Sequence, residues 1–142
     1  MREAYEQHRG DVAFFFVYVR EAHPIDGQLP GADGMVEDPI TDAERLAVAG
    51  TCRDELDLPM PTLVDRVDDA VCKAYGGWPD RLYVIGRDGR VVFAGDEGPF
   101  GFDVAAWRAA IAAAKAAAPG PRPPSQGAWR DAPKFDGWRD AR

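Results

Sequence analysis

The sequence predicts an α/β domain built on a central mixed sheet flanked by helices, and three observations predict it. The run Val12–Val19 is continuously β-branched and aromatic, the pattern of a strand buried on both faces in a parallel sheet. Leu82–Ile85 and Val91–Ala94 are short apolar runs joined by Arg87-Asp88-Gly89-Arg90, a hairpin signal in which the Asp-Gly pair favours a type I′ turn. Segments with helical spacing and capping residues lie around these strands, so helices and strands alternate along one chain.

Taken in order, Met1, Ala4, Tyr5 and His8 fall at i, i+3, i+4 and i+7, and Gly10 follows as a stop. These residues read as the end of a helix begun earlier. From His23 to Pro39, Pro24, Gly27, Pro30, Gly31 and Gly34 interrupt any regular pattern, and ordered loops of this length commonly carry function. Thr41-Asp42-Ala43-Glu44 has capping-box spacing. It opens a helix with Ala43, Leu46, Ala47, Cys52 and Leu56 as its apolar stripe, stopped by Pro59 and Pro61. Thr62–Asp65 is a short strand. Asp68-Asp69 caps a short helix through Tyr75, which Gly76-Gly77 ends. After the hairpin, Gly95–Gly101 is a glycine-rich loop. Asp103 then caps a last helix to about Ala118, with Val104, Trp107, Ile111 and Ala114 on its inner face. Residues 119–142 form a Pro/Gly-rich tail, disordered or weakly docked through Trp129, Phe135 and Trp138.

Composition narrows the function. The chain has 142 residues, 46% of them hydrophobic, enough for one domain of residues 1–118 with its own core. A net charge of −7 argues against nucleic acid, whose phosphates need a field of the opposite sign. The longest apolar run is too short to span a bilayer, and Arg2-Glu3-Ala4-Tyr5-Glu6 after Met1 is no signal peptide, so the expectation is no membrane and a cytoplasmic protein. Two cysteines, Cys52 and Cys72, are too few for a disulfide framework and fit a reducing compartment. Neither stands at a helix N-terminus, so both read first as buried structural thiols. No His and Cys share metal-ligand spacing, and no metal site is expected.

The element order is therefore a βα half followed by a ββα half, joined by a helix. This is the thioredoxin layout without its first strand and active-site turn. Pro79, just before the strand at Leu82, occupies the place of that fold's cis-proline. Glu21 and His23 follow the Val12–Val19 strand, at the carboxyl edge where open α/β sheets place their sites. An imidazole there can exchange a proton near neutral pH, and Glu21 can orient it or hold a phenol hydroxyl. From spacing alone the same residues read first as a loop-bonded histidine and a solvated charge. Trp78 can wall an aromatic pocket or pack into a turn. Gly95, Gly98 and Gly101 sit where an anion cradle would, but Asp96, Glu97 and Asp103 surround them without a cation, so these glycines serve the backbone turn.

The wording of these segments resembles a known family. Phe16-Val17-Tyr18-Val19-Arg20-Glu21-Ala22-His23-Pro24-Ile25-Asp26-Gly27 resembles the Tyr-Ile-Glu-Glu-Ala-His-Pro-Ser-Asp-Gly signature of the iodothyronine deiodinases. The likeness resumes at Glu44–Ala49, runs through Ala74-Tyr75-Gly76-Gly77-Trp78-Pro79-Asp80-Arg81-Leu82-Tyr83-Val84-Ile85 to Asp88–Phe93, and closes at Gly95, Gly98-Pro99 and Gly101-Phe102. The resemblance implies a thioredoxin-like fold and reductive removal of iodine from a phenol by a selenocysteine or cysteine, with no bound cofactor and a thiol reductant as electron donor. It implies catalytic roles for Glu21 and His23; Trp78 and Pro79 are the candidate walls of the substrate pocket, and Glu97 the candidate residue facing the substrate's far end. The attacking residue would lie ahead of Met1, as when an upstream stop triplet encodes selenocysteine. Some family members hold the amino-acid end of iodothyronine with a histidine and a basic residue. The positions that match approximately here are Pro39 and Glu97, so another halogenated or plain phenol, or a peroxide, is implied as strongly as iodothyronine. The partners implied are a small aromatic substrate and a thiol or thioredoxin-like donor. A homodimer is a further expectation, because a strand left without its neighbour invites association. The competing reading is a catalytically inactive thioredoxin-like module that binds a small aromatic ligand or a protein partner.

Overall fold

A computed structural model describes residues 1–31, 36–118 and 120. The element order is α1 (Arg2–His8), β1 (Phe16–Tyr18), α2 (Asp42–Glu55), β2 (Thr62–Val64), α3 (Ala70–Tyr75), β3 (Tyr83–Ile85), β4 (Val91–Ala94) and α4 (Val104–Ala116). The α/β class is as the sequence predicts. The expected tail from 119 onward lies outside the described residues, except Gly120.

β1 and β2 pair in parallel, with Phe16 opposite Thr62, Val17 opposite Leu63 and Tyr18 opposite Val64. β3 and β4 pair antiparallel, with Tyr83 opposite Ala94 and Val84 opposite Phe93. One central mixed sheet was the expectation; among the described residues the strands form two separate two-stranded sheets. β1 is also shorter than the Val12–Val19 run and is not covered on both faces. Phe14 and Tyr18 are buried, whereas Phe15 is 55% and Val17 39% exposed. The physical reason is pairing. Backbone groups form a ladder only where a second strand lies alongside, and β2 meets β1 over Phe16–Tyr18 alone.

Both sheets nevertheless contribute to one core. Ala4, Phe14, Met60, Leu82, Val84, Trp107 and Ile111 pack together, with Phe16 and Phe93 against them. Phe14 meets Tyr5 edge-on at 5.6 Å between ring centroids and Trp107 at 5.9 Å. Trp107 also donates its indole N–H to the carbonyl of Tyr83 at 3.0 Å. Because Leu82 turns its carbonyl toward β4, accepting from Gly95 N, the alternation of a strand turns the Tyr83 carbonyl away from β4. Trp107 therefore satisfies a backbone group on the open edge of β3. α1 is tied to α4 by Arg108 to Glu3 (2.7 Å) and Gln7 (3.0 Å), and Lys115 reaches Asp11 (2.6 Å) in the turn that follows α1. That ammonium holds the Asp11 carboxyl below its ordinary range.

The helix starts show what spacing can and cannot read. Thr41 and Glu44 form the expected capping box on α2, and Asp103 caps α4 by accepting from Ala106 N at 2.9 Å. α3 is different. Asp69, its N-cap, has left-handed backbone and makes no side-chain cap. The buried Asp65 carboxylate caps the helix instead, accepting from Val71 N (3.1 Å) and Cys72 N (2.7 Å). The inner face of α2 also differs from the predicted stripe. Arg45 (2% exposed) and Ala49 are its buried residues, while Leu46 and Leu56 are exposed. Arg45 goes inside because Asp69 (2.7 Å) and the Arg66 carbonyl (2.6 Å) receive its guanidinium, which a buried charge requires. At the hairpin, only Gly89 has positive φ (+83°) and its amide bonds Gly86 O. A type I′ turn needs positive φ at both central residues, so this is a type I turn followed by a left-handed glycine. A register irregularity between Val84 and Ile85 accompanies it.

Candidate functional site

Three segments converge at the carboxyl edge of β1. The first is the strand exit, Tyr18 to Glu21. Tyr18 is buried, and its hydroxyl donates to Glu21 Oε1 at 3.0 Å. Burial, and then the Glu21 carboxylate, push the Tyr18 phenol above its ordinary range. It therefore stays protonated and remains a donor to Glu21. The second segment is the turn after α3. Gly76 ends that helix in left-handed backbone, the Trp78–Pro79 peptide is cis, and the Trp78 indole N–H donates to the Glu21 carbonyl at 3.2 Å. Glu21 is thus held at both ends: its side chain by Tyr18, its backbone by Trp78.

The third segment is Gly95–Gly101. Gly98 N donates to Asp80 O at 3.0 Å, which brings the loop against the residue after Pro79. The glycines serve the backbone, as the sequence suggests. A Cβ on Gly98 would run into the Asp80 carboxylate, and one on Gly101 would meet Asp96 and Glu97 backbone atoms at 2.7 Å. Glu97 and Trp78 are exposed and Pro79 is half-buried.

His23 does not join Glu21. Its Nδ1 lies 3.0 Å from the Leu29 carbonyl within its own loop. A carbonyl only accepts, so Nδ1 carries the proton and Nε2 is the nitrogen able to accept one. The sequence expectation that Glu21 orients the imidazole is thereby corrected: Tyr18 and Leu29 take the two places. The loop carrying His23 is pinned to the strand exit by the Arg20–Asp38 ion pair, and Asp38 N donates to Asp26 Oδ1 at 2.9 Å.

Tyr18 is the residue that sequence reasoning missed. It stands in the segment that resembles the family but has no role of its own in that reading, and its signal is a hydroxyl three positions before Glu21, at the last place of β1. Cys52, on α2, faces the same cluster. Burial raises its thiol above the ordinary range, and the Glu21 and Glu55 carboxylates add to the rise. Thiolate is the reactive form, so Cys52 should react slowly with iodoacetamide near pH 8. Glu21→Gln removes a negative charge, lowers the thiol pKa and should speed alkylation severalfold, read as Cys52-containing peptide by mass spectrometry. An unchanged rate would mean that Glu21 and Cys52 do not share a field.

Among the described residues no helix is long and apolar enough to cross a membrane. A family model described as iodothyronine deiodinase matches residues 1–114. The chain is similar to thyroxine 5-deiodinase of Gallus gallus, 36% identical over 101 residues that cover 69% of this chain and 38% of that protein. Thyroxine 5-deiodinase of Sparus aurata is likewise 36% identical, over 69% of this chain and 37% of its own. Type II iodothyronine deiodinase of Rattus norvegicus is 29% identical over 72% of this chain and 41% of its own. The chain thus spans well under half the length of these curated relatives. With its Tyr18–Gly27 and Tyr75–Ile85 segments meeting at one sheet edge and its match running from Met1 to Ala114, this chain belongs to the iodothyronine deiodinase family.

Proposed function

We propose that this chain is the substrate-facing part of a reductive dehalogenase acting on halogenated phenols, with a selenol or thiol supplied from ahead of Met1. The observation that carries the reading is the convergence of Tyr18, Glu21 and Trp78 beside Pro79, in a chain of this family. The strand arrangement supports a thioredoxin-like sheet. Among the described residues β1 and β3 are each paired on one edge only, and both feed the same core. In the sheet of this reading, β2–β1–x–β3–β4, a further strand fills the middle, and its end stands at the same edge as Glu21 and Trp78.

The chemistry balances as follows. The chalcogenolate attacks iodine, the carbon–iodine bond breaks, and its electron pair stays on the ring carbon, which takes a proton. The iodine goes to selenium or sulfur as a chalcogen–iodine bond. One thiol displaces iodide, forming a mixed chalcogenide. A second thiol releases the free selenol or thiol and leaves a disulfide. The ring proton is delivered by a general acid at this edge, Glu21 or His23. Trp78 and Pro79 wall the ring.

Glu97 sets the substrate class. Its carboxylate on the Gly95–Gly101 loop repels a substrate carboxylate, so a phenol without one is preferred. The test is thiol-dependent iodide release by protein expressed with its preceding coding sequence. 2,4,6-Triiodophenol should be turned over about tenfold more efficiently than thyroxine, about 1.4 kcal/mol of discrimination, and Glu97→Arg should narrow that gap. Binding of the phenol without iodide release would identify a ligand-binding module instead. Turnover of a peroxide alone would retain the chalcogen and overturn the dehalogenase.

A further inference from the structure

Arg81 stands between two walls of the site and touches both. Its Nε donates to the Gly95 carbonyl at 2.6 Å, and its Nη1 reaches the carbonyls of Tyr75 (3.3 Å) and Gly76 (3.5 Å). The guanidinium carbon lies 5.5 Å from the centroid of the Tyr83 ring. That ring packs edge-on against Tyr75 at 5.2 Å, and its hydroxyl donates to the Tyr75 carbonyl. Tyr75 and Gly76 close α3, where unpaired carbonyls carry partial negative charge and favour a cation. Gly95 opens the loop that carries Glu97.

The neighbourhood is shaped for this guanidinium. Gly76 is left-handed (φ +57°), and a Cβ there would lie 2.8 Å from Arg81 Nη1. The adjacent residue completes the clamp, because Asp80 O accepts from Gly98 N. Asp80 and Arg81 thus grip the loop at Gly98 and at Gly95, while the Nη1 end of Arg81 grips the turn that leads to Trp78. A lysine ammonium, a single point on a flexible stem, cannot span both sides as the planar fork does.

We infer that Arg81 is a positioning residue, holding the Glu97-bearing loop at a fixed distance from Trp78–Pro79 so that an aromatic substrate enters a gap already set. The inference rests on the functional reading above, and such preorganisation is worth far more than the bonds themselves, since misplacing a wall by about 1 Å can cost about 100-fold.

The experiment uses the full chain and two readouts: affinity for 2,4,6-triiodophenol by calorimetry, and amide exchange at Gly98 and Gly101. Arg81→Ala should weaken binding by about 10–100-fold and speed exchange at both glycines, with β1–β2 amides unchanged. Millimolar methylguanidinium should restore both readouts, and methylammonium should not. Wild-type affinity in Arg81→Ala, equal rescue by methylammonium, or unaltered exchange at both glycines would each overturn the role. Should Arg81→Ala not fold, Arg81→Lys carries the test, with the same loss in both readouts expected and wild-type behaviour contradicting it. If the wild-type chain binds no triiodophenol, the functional reading fails, while exchange and its guanidinium-specific rescue still decide the role of Arg81.

Discussion

Trp107→Ala is expected to lower the unfolding free energy by about 3–5 kcal/mol, the range for truncating a large buried aromatic side chain. Trp107 is only 5% exposed and sits where the two sheets share a core, between Phe14 of the β1 side and Leu82 and Val84 of the β3 side. Its removal leaves a cavity that α4 cannot fill by collapse, since Asp103 and the Arg108 and Lys115 bridges fix where that helix lies. It also leaves the outward Tyr83 carbonyl without its indole donor, adding about 1–3 kcal/mol if that group stays buried and unpaired. Trp107→Phe separates the two effects: it keeps most of the packing and loses the hydrogen bond, so its cost should be clearly smaller. Urea unfolding followed by far-UV circular dichroism reads both variants. A loss below about 1 kcal/mol for Trp107→Ala would mean that the two sheets do not share one core.

The features legible in the sequence are those whose cause is local. Thr41 and Glu44 cap α2 because both partners lie within one turn of each other, and Asp103 caps α4 for the same reason. The hairpin was legible from apolar runs flanking Asp88-Gly89, and the cis peptide at Pro79 from the place of that proline before β3. What was not legible depends on distant partners. Asp65 reads as the end of a strand, yet its carboxylate caps a helix that begins five residues later. Arg45 falls outside the predicted apolar stripe of α2, yet Asp69, twenty-four residues on, draws it into the interior. Val12–Val19 reads as one long strand because apolarity reports burial and not pairing, and only three of its residues find a ladder.

At the site the division is the same. Position along the chain placed Glu21, Trp78 and Pro79 at one sheet edge, and the structure brings Glu21 and Trp78 into hydrogen-bond contact. The sequence offers Glu21 either the His23 imidazole or a phenol hydroxyl as side-chain partner. Strand geometry decides: Tyr18, the last residue of β1, is buried and its hydroxyl reaches Glu21, while the Pro24–Gly27 turn folds the loop so that the Leu29 carbonyl meets His23 Nδ1.

The central claim is that Glu21, held by Tyr18 and Trp78, moves the proton that replaces the halogen. Glu21→Gln keeps the size of the side chain and an oxygen able to accept from Tyr18, and removes the group that can pass a proton. A positioned acid or base contributes about 10²–10⁴-fold to a proton-transfer step. The decisive measurement is therefore the rate of thiol-dependent iodide release from 2,4,6-triiodophenol by the protein with its preceding segment, wild type against Glu21→Gln. A fall of about 100-fold or more in kcat, with phenol affinity unchanged, is the predicted result; a kcat equal to that of the wild type would contradict the account.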